Sequence, residues 1–394
     1  MKATNQGKYA LRMSGFFAGY FFPFGIYIPF FAVWLKSLDF SPEAIGLVLT
    51  IPMVTRVLFT PVMAALSDKL GNRRLALRIY CGLYGLTFAL ILLNDSLWWI
   101  ALIMAISHIF QSAIIPVADS LALAGTRRFG LDYGRMRSSG SFSFMLANLA
   151  GGFILGWLGA DKIIWLMVLG NILHILFSFS LPVDPRLIDN RTLSKQTKMD
   201  WQQLKQFAQI GFWIVLIATS LIQASHSMLY SFATIYWQKI GIPSNITGLL
   251  WSVSVLAEVL LFTFSKKISS FLNWKQLMSV AAIMACLRWT LFPFELPIFV
   301  YFILQILHAG TFACAHLGAM FFINEIVDDA LSGTAQGLYT MLTGLLSAIA
   351  TTVSGYLFAQ WSGMAFLSMA IVSLMALSLL ITARSFILAP IKAD

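Results

Sequence analysis

Apolar residues in this chain run in long stretches, without the alternating or one-face patterns that fold a soluble domain. Twelve runs fall near residues 10–35, 42–66, 74–93, 97–126, 136–158, 161–182, 207–237, 244–264, 275–293, 296–323, 331–358 and 363–383. Each has about 18 residues or more, the length a helix needs to cross a hydrocarbon core of roughly 30 Å. Short turn signals separate them: Asn94-Asp95, Gly159-Ala160-Asp161, Gly241-Ile242-Pro243 and Ser362-Gly363. Only the connection 184–205 is long and polar, and it lies near mid-chain. The pattern predicts an all-α membrane protein of twelve transmembrane helices. They form two six-helix bundles, 1–183 and 206–394, joined by a cytoplasmic linker at 184–205.

Composition agrees. Hydrophobic residues make up 59% and charged residues 11%, less than half the roughly 25% charged residues of a soluble domain. The net charge of +10 could suggest nucleic acid, but no basic stripe with interleaved aromatics is present. Its distribution points to topology instead. With the N-terminus in the cytoplasm, 21 of the 26 Lys and Arg residues fall on inside segments and only Lys36, Lys162 and Lys239 fall outside. Such a bias predicts that both termini are cytoplasmic. The first run is too long for a signal-peptide core and has no clear cleavage site. Cys81, Cys286 and Cys314 all lie in apolar runs with no metal or disulfide spacing. No Ser/His/Asp set, HExxH or phosphate loop is visible, so an enzyme is not expected, nor a metal or cofactor.

One loop carries a recognisable motif. Ala64-Ala65-Leu66-Ser67-Asp68-Lys69-Leu70-Gly71-Asn72-Arg73-Arg74 closes the second run. It resembles the loop signature Gly-x-x-x-Asp-Arg/Lys-x-Gly-Arg-Arg/Lys of the major facilitator superfamily, with Ala64 in place of Gly and Asn72 where Arg is usual. The resemblance implies that Asp68 meets a helix end or basic side chain and that Gly71 permits a tight turn. Arg73 and Arg74 hold the loop in the cytoplasm. Ser67-Asp68-Lys69 is weakly repeated half a chain later as Ser265-Lys266-Lys267, as expected for two related halves. The stretches Tyr27-Ile28-Pro29-Phe30-Phe31-Ala32-Val33-Trp34-Leu35 and Tyr133-Gly134-Arg135-Met136-Arg137 are similar to the lactose-permease-like branch of that superfamily. The composition of the site looks closer to its phenylpropionate-permease members.

An ionisable side chain at mid-bilayer costs about 2.5–3.5 kcal/mol on insertion scales, so it marks a cavity or a partner. The resemblance assigns Asp119 and Arg137 to the substrate-binding pair and Phe144, two turns beyond Arg137 on the same face, to the ring that contacts substrate. Alternatively, Arg137 is one more cytoplasmic anchor. It also assigns Glu258, Arg288 and His308 to proton coupling, the bland alternative for each being a helix–helix hydrogen bond. The match is incomplete. The helix 10 carboxylate is replaced by Thr311 and the lysine before the histidine by Gln305. Two helix 7 aspartates are replaced by His226 and Leu229, and the helix 11 lysine by Ser347. These losses argue against a sugar. Arg56 is an added charge that suits a carboxylate, because guanidinium forks one through two bonds; snorkelling or a pair with Asp119 is the alternative. Phe21, Phe22, Tyr27, Phe30 and Trp251 are candidate aromatic walls. His108 is a candidate cavity residue, whereas His174 and His316 read as packing.

The combined expectation is a monomeric transporter of the bacterial inner membrane that imports a small aromatic carboxylate, such as 3-phenylpropionate, with protons. It works by alternating access and draws on the proton gradient. An oligosaccharide or nucleoside symporter of the same fold is the alternative.

Overall fold

The computed structural model describes residues 2–185, 207–328 and 331–383. The expected linker, beyond residues 184 and 185, lies outside the described residues, as do Arg384, Lys392 and the C-terminus. Among the described residues the chain is helical with short connections, and no strand occurs. In order the helices are α1 Lys2–Ser37, α2 Pro42–Leu70, α3 Arg73–Ala89, α4 Leu97–Gln111, α5 Ile114–Phe129, α6 Tyr133–Leu158, α7 Ile163–Ser180 and α8 Ile210–Ala224. There follow α9 Ser227–Lys239, α10 Ser244–Thr263, α11 Ser265–Ser269, α12 Trp274–Leu291, α13 Ile298–His308, α14 Cys314–Ile326, α15 Ser332–Trp361 and α16 Phe366–Ala383. A π turn, Ala309–Ala313, joins α13 to α14.

Helix ends follow local chemistry. Ser41, Asn72 and Asp132 each accept a backbone N–H at the start of α2, α3 and α6. Asn273 and Gln276 form a reciprocal capping box on α12. Gly71 ends α2 with φ 69°, its N–H donated to Asp68 O, so the tight turn expected of the loop motif is present. Asn72, where the family motif has Arg, caps α3.

The chain divides into two compact units. Unit 1 is Met1–Ser194 with Pro243–Ser252, and unit 2 is Lys195–Ile242 with Val253–Asp394. In unit 1, α1 packs on α6 and α7, α2 on α4, and α3 on α4 and α7. The first turns of α10 group with unit 1 because glycines allow backbone contact. A Cβ on Gly152 would lie 2.6 Å from Ser244 O and 2.9 Å from the Gly248 Cα. In unit 2, α12 packs on α16 and α14, and α8 on α16 and α15. There Lys239 Nζ donates to Ser362 Oγ (2.8 Å) and the Tyr236 hydroxyl to Pro293 O. The C-terminal ends of α9 and α12 and the α15–α16 turn therefore share one end of unit 2.

The polarity is inverted relative to a soluble protein. Trp98, Trp157, Leu86, Phe153 and Ile371 are exposed, while Gln111, Asn148, Asn171, His174, His226, Arg288, Gln305 and Thr311 are buried. This arrangement suits hydrocarbon outside and polar groups gathered between helices. Ten stretches among the described residues are long and apolar enough to cross a membrane. One of them, Ser332–Thr382, has 51 residues and is broken by the α15–α16 turn, where Ser362 takes φ 48°. α12, which carries Lys275 and Arg288, is not among the ten.

Candidate functional site

Polar chemistry collects at one place in each unit. In unit 1, α5 and α6 bring Arg137 Nε to 3.9 Å from Asp119 Oδ1, with both side chains about 30% exposed. Asp119 therefore pairs with Arg137, and not with Arg56. The Arg137 guanidinium lies over Phe21 (4.2 Å to the ring centroid) and near Phe17 (5.4 Å), both on α1. Gly140 lets Phe21 approach, since a Cβ there would come within 2.5 Å of that ring. Phe144 is half-buried, with its backbone against Gly25; the rings over Arg137 come from α1. Tyr133 neighbours both members of the pair.

Arg56 on α2 is exposed, and among the described residues no carboxylate pairs with its guanidinium. Its field reaches Tyr20, Tyr27 and His108. Tyr20 also feels Arg137 and Asp119 and accepts a hydrogen bond from Gln111. His108 donates from Nδ1 to Met104 O at 2.9 Å and packs near Tyr27 and Tyr84. Of the other expected wall residues, Phe30 and Trp251 are buried. Phe30 lies against Gly151 and reads as core. His174 touches Cys81 Sγ (3.4 Å), Phe16 and Tyr20, and His316 packs between Phe262 and Tyr339, as their packing assignment expects.

The loop motif lies in the same unit. Arg73 donates to Ser120 O (3.2 Å) and lies 3.9 Å from Asp184. Arg78 donates to the Ser178 and Phe179 carbonyls that end α7. Asp68 is exposed and makes no ion pair among the described residues. Arg74 is half-buried, and its Nε has no partner among the described residues.

In unit 2, Glu258, Arg288 and His308 come together from α10, α12 and α13. Arg288 is fully buried. Its Nη1 donates to His308 Nδ1 (3.1 Å) and Thr311 Oγ1 (3.3 Å), and its Nη2 to Gln305 Oε1 (3.0 Å). Its face lies over Trp289 (4.6 Å). His308 Nε2 stands 3.8 Å from Glu258 Oε2. His226 donates from Nδ1 to Ile222 O (3.0 Å), and its Nε2 meets Thr311 Oγ1 at 2.9 Å. Tyr230 feels both Glu258 and Arg288. Two positions where the sequence departs from the family set, Gln305 and Thr311, thus bind Arg288, and a third, His226, joins them through Thr311. The regular spacing 305, 308, 311 was the available signal that they share one helix face.

Membrane-spanning helices that converge ionisable side chains on buried polar centres define a polytopic transport protein, and comparison with known proteins gives its family. The chain belongs to the family described as MFS_1 like, whose model it matches over residues 10–370, and is a transporter of the major facilitator superfamily. It is 30% identical over 371 residues to the "Probable 3-phenylpropionic acid transporter" of Escherichia coli (strain K12), covering 93% of this chain and 95% of that protein. It is 24% identical over 346 residues to the maltose permease of Geobacillus stearothermophilus, covering 86% of each. Its fold is similar to that of the nucleoside transporter NupG, with a TM-score of 0.84, 16% identity and coverage of 96% of this chain and 99% of that one.

Proposed function

We propose that this chain is a proton symporter that imports a small aromatic monocarboxylate, such as 3-phenylpropionate, across the bacterial inner membrane by alternating access. In this reading it spans the membrane twelve times, with α12 as the ninth span and Ser332–Thr382 crossing twice. Both termini are cytoplasmic and the transporter acts as a monomer. The observation that carries the substrate class is Arg56. Asp119 pairs with Arg137, and Arg56 remains a guanidinium without a carboxylate partner among the described residues, its field reaching Tyr20, Tyr27 and His108. A guanidinium of this kind favours an incoming carboxylate through paired charge-assisted bonds, and aromatic neighbours favour an aryl body. The relative in Escherichia coli (strain K12) supports the same class. Arg137 with Asp119 orients the substrate, Phe144 and the α1 rings contact it, and Glu258, Arg288 and His308 couple it to protons. Asp68, Gly71, Arg73 and Arg74 serve the conformational change.

Reconstituted protein in vesicles tests this reading. An acidic exterior is expected to drive uptake of labelled 3-phenylpropionate above its equilibrium level, and aryl carboxylates to compete where sugars and nucleosides do not. The retained Asp119–Arg137 pair and the maltose permease relative favour the second reading, a sugar or nucleoside symporter. That reading wins if those ligands compete and aryl acids do not.

A further inference from the structure

Three arginines, Arg12, Arg74 and Arg78, gather at one end of unit 1. α3 begins at this end with Arg73 and Arg74, and α7 ends there at Ser180. Arg78, one turn along α3 from Arg74, donates from Nη2 to Phe179 O (2.7 Å) and from Nε to Ser178 O (3.4 Å). Its guanidinium also lies over the Phe179 ring (5.5 Å). The start of α3 is thereby tied to the end of α7. α1 reaches the same place. A Cβ on Gly15 would lie 3.3 Å from the Phe177 ring, and Arg12 stands one turn before Gly15, level with the last turn of α7. The charges of Arg78 and Arg12 both act on Arg74.

This positive charge is not offset from within. Arg73, the neighbour of Arg74, has Asp184 at 3.9 Å and Ser120 O at 3.2 Å. Arg12, Arg74 and Arg78 make no ion pair among the described residues. Arg12 is exposed and Arg74 half-buried, and the buried Nε of Arg74 has no hydrogen-bond partner among the described residues. Carbonyl partners leave the charge of Arg78 in place. Like charges repel and an unpaired buried N–H is costly, so the cluster suits an anion.

The surface beside the cluster says which anion. α3 packs on α7 through Gly85, where a Cβ would come within 2.6 Å of Ile175. Leading away from the arginines, Leu75, Ile79 and Leu83 on α3 and Leu173 and Leu176 on α7 are exposed. Their three- and four-residue spacings put each set on one helix face. Basic groups at the end of two apolar helices, with apolar stripes running from them, match the headgroup and chains of a phospholipid. A soluble anion would use the guanidinium groups alone.

We infer that Arg12, Arg74 and Arg78 hold the phosphate of an anionic phospholipid, whose acyl chains lie along the exposed stripes of α3 and α7. The lipid offsets the repulsion among the three arginines and joins α1, α3 and α7 at this end of unit 1. The site is separate from the Asp119–Arg137 pair and from Arg56, and it holds whichever substrate the transporter carries.

Native mass spectrometry of the purified full-length protein in detergent tests this. The probes are phosphatidylglycerol and phosphatidylcholine with the same acyl chains. Wild-type protein is expected to bind phosphatidylglycerol in preference to phosphatidylcholine. Arg12→Gln removes a charge that makes no bond among the described residues. It is expected to weaken phosphatidylglycerol binding about fivefold and to leave phosphatidylcholine binding unchanged. Arg12→Lys is expected to keep most of the preference. Lys36→Gln removes one charge from the opposite end of α1 and is expected to change neither lipid. Equal binding of the two lipids to wild-type protein overturns the inference, as does an equal effect of Arg12→Gln and Lys36→Gln. Excess inorganic phosphate is expected to leave the lipid in place; displacement by phosphate would make this a site for soluble anions and overturn the lipid assignment. Phosphatidylglycerol is also expected to raise the thermal unfolding midpoint of wild-type protein more than that of Arg12→Gln, and an equal rise in both counts against the site.

Discussion

Arg56 and Arg137 lie in one unit but differ in what offsets their charge. Arg137 has Asp119 at 3.9 Å and Phe21 beneath its guanidinium; Arg56 has no carboxylate partner among the described residues, and its field reaches Tyr20, Tyr27 and His108. Losing one charge-assisted contact costs about 1.5–3 kcal/mol, or roughly 10- to 100-fold in affinity. Arg56→Gln is expected to weaken aryl carboxylate binding by that factor, and Arg56→Lys by less, measured as ligand-induced thermal stabilisation of purified protein. Unchanged affinity would remove Arg56 from the site. Much of the candidate site was legible because charge in an apolar run is conspicuous: Arg56, Asp119, Glu258 and Arg288 needed no structure. The neutral partners were less so. Gln305, Thr311 and His226 were visible as departures from a family pattern, but that the first two bind one guanidinium and the third joins them through Thr311 depends on how α9, α12 and α13 pack. Phe21 was one aromatic among many until its face was seen against Arg137.

At the level of elements, the sequence marks where membrane helices run but not where they break. The run expected at 97–126 is two helices, α4 and α5, meeting at Ser112 and Ala113. Pro116 accounts for this, since its ring conflicts with the carbonyl four residues earlier. The run at 207–237 breaks at Ser225 and His226 without proline; the His226 side chain takes the Ile222 and Gln223 carbonyls, a side chain inserted into the helical ladder. The π turn Ala309–Ala313 has Gly310 against Met284. Such breaks come from tertiary partners that an apolar run does not reveal. Packing between elements is tight at small residues. The Tyr9 hydroxyl donates to Leu121 O (2.8 Å), and a Cβ at Gly125 would lie 2.1 Å from the Tyr9 ring. Gly125→Val is therefore expected to push α1 off α5 and lower stability by about 1–3 kcal/mol, read as a lower midpoint of thermal unfolding in detergent. Gly7→Ala, with nothing within 4 Å of the added Cβ, is expected to leave that midpoint unchanged or slightly raised. Equal behaviour of the two would contradict the packing described for α1.

At the scale of the whole molecule, the open question is how many times the chain crosses the bilayer, and two segments decide it. Ser332–Thr382 has 51 residues, about 76 Å as continuous helix, against a core of roughly 30 Å. The chain turns at Ser362, where Lys239 holds the turn to the end of α9. α12 escapes a hydropathy criterion because Lys275 and Arg288 lie within it. Yet its C-terminal end is tied by Tyr236 to the same end of unit 2, while its N-terminal cap at Asn273 follows the basic residues Lys266 and Lys267. If both segments cross as proposed, single cysteines will report it. The background is a protein in which Cys81, Cys286 and Cys314 are replaced. Asp95→Cys, Glu295→Cys and Gln360→Cys are expected to react with a membrane-impermeant maleimide in intact cells. Lys69→Cys, Lys267→Cys and Gly333→Cys are expected to react only after the membrane is opened. Labelling of Lys267→Cys and Glu295→Cys from one side would mean that α12 does not cross. Labelling of Gly333→Cys and Gln360→Cys from one side would mean the same for α15. Either result would put the twelve-span reading aside and, with it, the assignment of Lys69, Lys267 and the termini to the cytoplasm.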